Sequence, residues 1–466
     1  MAAARRKAAS ALIAHPSPNP WTLATALEIR RGDVVALVGG GGKTSTLFRL
    51  GRELAAGGWQ VLLTTTTHIG RLESALAPHH LVVHAADPAG DHPPAAGGWS
   101  PLLVTAPPTE NGSKWGGVPP DWIARWQADA VLVEADGAKG HPFKAPAPHE
   151  PVVPACTTLL VPVVGVDAVG QTVEEASHRP ACVSAITGLA GADRLTPEAM
   201  ATVLGHPSGG LKGIPAAARV SVLINKVQSR SDLAAAREIA RLLLRPGTGV
   251  RSVVLAAVAA DAPVLEVHRR VAAVVLAAGQ SVRMGGEVPK QLLLWGGKPL
   301  VRQVVDVVAG LPLDPLLVVT GHQAGAVAES LSGTRAELVH NPAYAAGEMI
   351  SSLQAAVRTL SVEVSGCLVV LCDQPWLDAA VVRAVLEGYA AGPHGLVAPT
   401  FGGRRGHPVL IDGRHWAELL AMGPGLSPRD LIGRHLDDLL LRPVETESIL
   451  QDLDTWDDYQ QALTGR

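Results

Sequence analysis

Twice in this chain a short apolar run empties into small residues and then into a helix-like segment. The runs are Val34-Val-Ala-Leu-Val38 before Gly39-Gly-Gly-Gly42 and Val271-Ala-Ala-Val-Val-Leu276 before Ala277-Ala-Gly279. Strands this apolar have no polar face to offer water, so they belong in sheets covered on both sides, and open α/β sheets place ligands beyond the carboxyl ends of such strands. The duplicated layout predicts an α/β chain of two three-layer units. A length of 466 residues also calls for more than one core. The boundary is expected between Ala260 and Arg270, giving domains 1–265 and 266–466, with surface loops at the Pro/Gly-rich residues 89–101 and 107–120.

Composition narrows the function. Hydrophobic residues at 47% against 17% charged are globular, while a formal charge of −3 and 3% aromatic residues leave neither a basic field nor stacking platforms, so no nucleic-acid partner is expected. Cys156, Cys182, Cys367 and Cys372 form no CxxC pair, and the last two sit in one apolar run, which suits buried thiols in a reducing cytoplasm. The basic start Arg5-Arg6-Lys7 is followed by an apolar stretch broken at His15-Pro16, too short for a signal peptide. The greasiest region, 252–279, is interrupted by Asp261, Glu266 and His268-Arg269-Arg270. No stretch reaches the ~20 residues of a membrane span, and no membrane partner is expected.

The richest segment is Leu276-Ala-Ala-Gly279-Gln-Ser281-Val-Arg283-Met-Gly285 followed by Pro289-Lys290-Gln-Leu292. Small residues let backbone amides approach phosphate oxygens, and Arg283 and Lys290 supply the charge that neutralises a triphosphate. A second strand, Leu368-Val-Val-Leu371, ends in Cys372-Asp373-Gln-Pro375. An aspartate at the edge of a dry strand is a place to hold Mg2+ against phosphates. Asn341, at another strand end, is a candidate for ribose or acceptor contact. His407, in Gly406-His407-Pro408, is either an acceptor contact or part of a rigid turn.

These motifs, with Thr320-Gly-His322, Gly347-Glu-Met349-Ile-Ser351-Ser352, Arg405-Gly-His407-Pro408 and Asp452-Leu-Asp454-Thr-Trp-Asp457, resemble the molybdenum cofactor nucleotidyltransferases, and within them the MocA-type cytidylyltransferase branch. The resemblance runs from Val271 to about Tyr459. It implies a Rossmann-like, glycosyltransferase-A-like nucleotidyltransferase domain in which Leu276, Ala277, Ala278, Gly279 and Arg283 wrap the triphosphate and Lys290 contacts its phosphates. Arg283, Lys290 and Asp373 would then be catalytic, Asn341, Ser352 and His407 would face the acceptor, and Asp373 with Asp454 would hold the metal. Helix N-capping explains Asp454 equally well. Ala278 matches the Leu-Ala-Ala-Gly of the cytidylyl branch, where the guanylyl branch has Leu-Ala-Gly-Gly, which favours CTP. Glu348 and the added glycines Gly285-Gly286 depart from the family pattern.

In the first half, Gly39-Gly-Gly-Gly42-Lys43-Thr44-Ser45 resembles a P-loop in which Gly40 and Gly42 amides cradle phosphates, Lys43 reaches them and Thr44 binds Mg2+. Leu37 stands where the standard spacing has its first glycine. Such a loop would take ATP or GTP, although Asn225-Lys226-Val227-Gln228 lacks the aspartate of a guanine-reading motif. Glu134 and Asp136 end an apolar strand and offer a metal contact. The following Lys139 to Glu150 stretch, dense in charge and proline, has the look of a site loop, with a solvated surface loop as the default.

With Thr64 to Thr67 and Lys144-Ala-Pro146, these pieces are similar to the YqeC family, from about Thr22 to Val258. That resemblance implies an accessory role for selenium-dependent molybdenum hydroxylases. The reading is a cytoplasmic fusion: a nucleotide-binding accessory domain before a CTP:molybdenum cofactor cytidylyltransferase, with a molybdopterin-type acceptor and a molybdenum hydroxylase apoenzyme as partner. The alternatives are nucleotidyl transfer to a sugar or polyol phosphate, and a cofactor carrier or insertion chaperone without turnover.

Overall fold

A computed structural model describes residues 21–84, 100–245, 247–280, 288–346 and 349–464. The chain divides into two compact units, Met1–His268 and Arg269–Arg466.

The first unit is built on an 11-stranded sheet in which Asp33–Gly39 lies between Ala130–Glu134 and Leu159–Gly165, parallel to both. Arg219–Asn225, Ser252–Ala256 and Val264–Arg269 extend it one way, and Val61–Thr65 and Leu102–Pro108 the other. Alternation along the strands divides the core between the two faces. Val35, Leu37, Val161 and Val163 pack against Leu47, Leu50 and Leu54 of the Lys43–Ala56 helix. On the other face Val164, Val222 and Ile224 meet the Pro197–Leu204 and Arg230–Leu243 helices through Met200, Val203, Ile239 and Leu243. Both helices start as their sequences dictate: Thr196 caps a helix with proline in its first turn, and Ser229 forms a capping box with Asp232.

Within the stretch from Ala260 to Arg270, residues 264–269 form a strand beside Ser252–Ala256. Glu266 is nearly buried there, paired with Arg237; its carboxylate lies 2.7 Å from Nε2 of His268. Burial alone would raise this carboxyl, but the hydrogen bonds from His268 and Arg237 outweigh that and bring it down to about 2.

In the second unit an 8-stranded sheet runs Glu337–His340, Leu316–Thr320, Val271–Ala277, Gly366–Leu371, Val409–Asp412, Leu396–Phe401, Arg404–Arg405, with Leu439–Pro443 also paired to Leu396–Phe401. The first four strands are parallel, whereas Val409–Asp412 runs antiparallel to both its neighbours, so the sheet is mixed. Ala273, Val275, Val318 and Leu368 pack on the Leu300–Ala309 and Ala379–Ala391 helices. Ala272, Val274, Val319 and Val369 face the Met349–Val357 and Trp416–Ala421 helices.

All four cysteines are free thiols, and burial pushes those of Cys367 and Cys372 up to about 12. Among the described residues no helix is long and apolar enough to cross a membrane. Leu368 is fully buried at the centre of the second sheet. Leu368→Ala should cost about 2–5 kcal/mol of that unit's stability, read as an earlier midpoint in its denaturant unfolding.

Candidate functional site

In the second unit, Leu276 is paired with Val319 on one side and Leu371 on the other. The loops that leave these parallel strands therefore emerge side by side at one sheet edge. Here a cleft of about 790 Å3, counting its open mouth, is lined by Leu276, Ala278, Gly279, Lys290, Ser352 and Asp373 among others.

Lys290 starts the short 3-10 turn Lys290–Leu292, and its Nζ stands 2.7 Å from Oδ2 of Asp373 and 3.1 Å from Oδ1 of Asp454. Burial works against the ammonium, but the two carboxylates outweigh it and hold the lysine above its ordinary pKa. The other oxygen of Asp373, Oδ1, is buried with no hydrogen-bond partner among the described residues. Asp454 reaches this point because the amide of Leu453 donates to the carbonyl of Asp373 at 3.1 Å. The start of the Trp456–Thr464 helix is served by Thr455 and Asp458, which exchange hydrogen bonds, while the Asp454 carboxylate meets Lys290. Burial and then the charges of Asp454 and Asp373 raise the carboxyl of Asp452. The cluster is thus rich in hard oxygen donors around a single described cation, which is the chemistry a divalent ion of the magnesium class requires.

Asn341 is buried, and its amide donates to the hydroxyls of Ser351 and Ser352, both at 3.0 Å, while its oxygen accepts the amide of Ala343. It acts on the cleft through Ser352, which lines it. His407 is brought near Asp373, and burial pushes its imidazole down to about 4 although Asp373 opposes the shift. Arg283, Gly285, Gly286 and Glu348 lie outside the described residues. Sequence reasoning missed Gln291, buried and donating to the carbonyl of Gly279 at 3.4 Å, and Tyr344, which lines the cleft. Gly321 makes room for that tyrosine, since a Cβ there would lie 2.4 Å from Cβ of Tyr344. The glycine after Thr320 was the one available sign of it.

In the first unit the glycine loop is pressed between strands. Gly39, Gly41 and Gly42 have φ of 95°, 74° and 123°, and a Cβ on Gly41 would fall 2.0 Å from the amide nitrogen of Gly165. The amide of Gly40 donates to Val163 and that of Gly41 to His141, while the amide of Gly39 donates to Asp136 at 3.1 Å. Asn225 closes the loop from behind: its amide donates to the Gly41 carbonyl at 2.9 Å, and its oxygen accepts the amides of Lys226 and Val258. These three hydrogen bonds tie the loop to the ends of two strands.

Lys43 Nζ donates to the Gly39 carbonyl at 2.5 Å and stands 3.2 Å from Asp136. Thr44 donates to Glu134 at 2.9 Å, yet burial still raises that carboxyl, with Lys43 and Thr44 opposing. Lys144, expected on a solvated loop, has no exposed side-chain surface and bridges Asp136 and Glu150 at 2.9 and 2.8 Å. Arg179 pairs with Glu150 from a distant helix start at 3.1 Å.

The comparisons with known proteins agree with this division. Residues 35–181 match the family described as YqeC protein, and residues 273–439 match the MobA-like NTP transferase domain. The uncharacterized protein YqeC of Escherichia coli (strain K12) is 35% identical over 216 residues, covering 45% of this chain and 82% of that protein. The bifunctional protein GlmU of Kineococcus radiotolerans is 30% identical over 157 residues, 34% of this chain and 30% of that protein. Among solved structures, a nucleotidyl transferase from Methanothermobacter thermautotroptrophicus is 27% identical, covering 42% of this chain and 98% of that one, with a TM-score of 0.38. The second unit is accordingly a nucleotidyltransferase domain of the MobA-like class. The chain belongs to the YqeC family through its first unit, with that domain joined behind its YqeC region.

Glu150 provides a pH test of the first site. Burial would raise its carboxyl, but the hydrogen bonds from Arg179 and Lys144 prevail and bring it down to about 2. Its contribution is complete above the ordinary glutamate pKa near 4.5 and disappears as pH falls toward 2. Glu150→Gln should therefore lower stability at neutral pH and flatten the acid loss between these values, as followed by thermal melts across pH.

Proposed function

We propose that the second unit transfers a cytidylyl group from CTP to molybdenum-bound molybdopterin, giving the cytosine dinucleotide form of the cofactor and pyrophosphate. The observation that carries this reading is the Lys290 ammonium held between Asp373 and Asp454 at a cleft opening on Gly279. Nucleotidyl transfer needs charge neutralised along a triphosphate while an in-line phosphate attacks its α-phosphorus. Lys290 is placed to meet phosphate oxygens. Asp373 and Asp454 would hold a divalent ion of the magnesium class, which when bound supplies charge neutralisation to the triphosphate.

The acceptor phosphate is already an anion, so no strong general base is called for. His407, held neutral at physiological pH, offers hydrogen bonds without charge. Ser352, whose hydroxyl accepts the Asn341 amide, lines the cleft. The methyl of Ala278 lines the same wall, where the resembling guanylyl enzymes have glycine, and this supports CTP over GTP.

The first unit is read as a nucleotide-binding accessory module for maturation of a molybdenum hydroxylase. Its support is the Lys43–Asp136 and Thr44–Glu134 geometry at the start of a 14-residue helix, whose N-cap, Gly42, brings no capping side chain. First-turn amides of such a helix remain available to an anion. Tethering to the transferase raises the local concentration of whatever passes between the two functions.

Pyrophosphate release by the full chain, assayed with each nucleoside triphosphate and with molybdopterin or sugar phosphates, tests the transferase. Release should require CTP and molybdopterin; activity confined to a sugar phosphate would reject this acceptor. Asp373→Ala should reduce the rate by about 100-fold or more, and an unchanged rate would remove Asp373 from the site. Titration of Asp373→Ala protein with ATP and GTP should still show binding, which Lys43→Ala in the same background should abolish; no binding before that substitution would reject the accessory reading.

A further inference from the structure

Outside the cleft, the second unit carries a cluster that nucleotidyl transfer does not use. His415, Glu418 and His435 each offer one donor atom, and these atoms lie within 4.8 Å of one another. His415 ends the 3-10 turn Gly413–His415, and Glu418 follows it by three residues in the Trp416–Ala421 helix, so the two share a face. His435 caps the carboxyl end of the Pro428–Arg434 helix. The two imidazole rings are 4.6 Å apart at their centroids.

The surrounding charges sort the donors. Glu418 divides its oxygens, with Oε1 3.2 Å from Arg434 and Oε2 2.6 Å from Nε2 of His435. It therefore faces the cluster with one oxygen. Asp438 stands 2.8 Å from Nε2 of His415, while its other oxygen accepts the amide of Gly395 at 2.7 Å and lies 3.7 Å from Arg414. Such a carboxylate fixes an imidazole's orientation and tautomer, as outer-sphere carboxylates do behind metal-bound histidines. Only 7% of the His415 side chain is exposed, so its ring is held before any ligand arrives.

We infer that His415, Glu418 and His435 form a binding site for a first-row transition ion of the zinc class, with Asp438 orienting His415 from the second sphere. Two imidazoles and one monodentate carboxylate suit such an ion and disfavour magnesium, which prefers an all-oxygen set. Water completes a tetrahedral shell. Tetrahedral ligands at zinc distances stand about 3.4 Å apart, so Nε2 of His435 and Oε2 of Glu418 separate slightly to admit the ion. The ion joins the Trp416–Ala421 and Pro428–Arg434 helices, whose Leu419, Leu431 and Ile432 cover one face of the sheet. Gln354 of the Met349–Val357 helix donates to the carbonyls of Leu419 and Met422, both at 2.9 Å, so this support continues to the helix that bears Ser352.

The test uses chelator-treated full-length protein, titrated with Zn2+ against a chromophoric chelator in excess Mg2+, with Co2+ absorption reporting the ligand field. One equivalent should bind, persist in Mg2+ and raise the melting temperature. His435→Ala and Glu418→Gln, at partly exposed positions, should each weaken binding by about tenfold or more, and Asp438→Asn by about tenfold, with far-ultraviolet circular dichroism showing the fold retained. Absence of Zn2+ binding would overturn the assignment. So would binding that survives His435→Ala and Glu418→Gln but is lost in Asp373→Ala, which would place the ion in the cleft.

Discussion

A parallel strand covered on both faces has nowhere along its length to put a polar side chain, so polar groups collect where the strand ends. This constraint shapes both units. Leu37 and Ala36 point to opposite cores of the first sheet, and Val274 and Val275 do the same in the second. Asp136 follows the Ala130–Glu134 strand and Asp373 follows Gly366–Leu371. Each acid is therefore placed by the dryness of the strand before it, and register brings it beside a loop of small residues.

The two sites use that placement differently. Asp136 is closed into a network in which Lys43 and Lys144 share its carboxylate and Glu150 continues the chain to Arg179. Opposite charges meet at nearly every step, so the burial of each is offset by its neighbour. In the second unit Lys290 faces Asp373 and Asp454 together, the Asp452 carboxyl is raised beside them, and a buried Asp373 oxygen is left over. Among the described residues, acidic groups therefore outnumber the cations at this point.

What was legible in the sequence was whatever local chemistry made conspicuous. An aspartate after an apolar run is out of place unless it has work, so Asp373 could be singled out, as could Lys43 after its glycines. Groups whose partners come from far along the chain were read wrongly or missed. Lys144 looked solvated among prolines because nothing nearby announces Arg179, which closes the network through Glu150 from 29 residues beyond that acid. Glu266 showed only as a break in an apolar run because its partner Arg237 belongs to a helix. Gln291 and Tyr344 carry no motif, and only the meeting of distant loops gives them a role. The antiparallel course of Val409–Asp412 likewise leaves no trace in its four residues.

Asn225 holds the Gly41 carbonyl although the two residues are 184 positions apart, and the same side chain accepts the amide of Val258. Loop closure over such a span is entropically unfavourable until the intervening strands have paired. During synthesis, the glycine loop leaves the ribosome well before Asn225, so this contact can form only once that later residue has been made. A chain interrupted before residue 225 would carry the complete loop sequence without the side chain that fixes it.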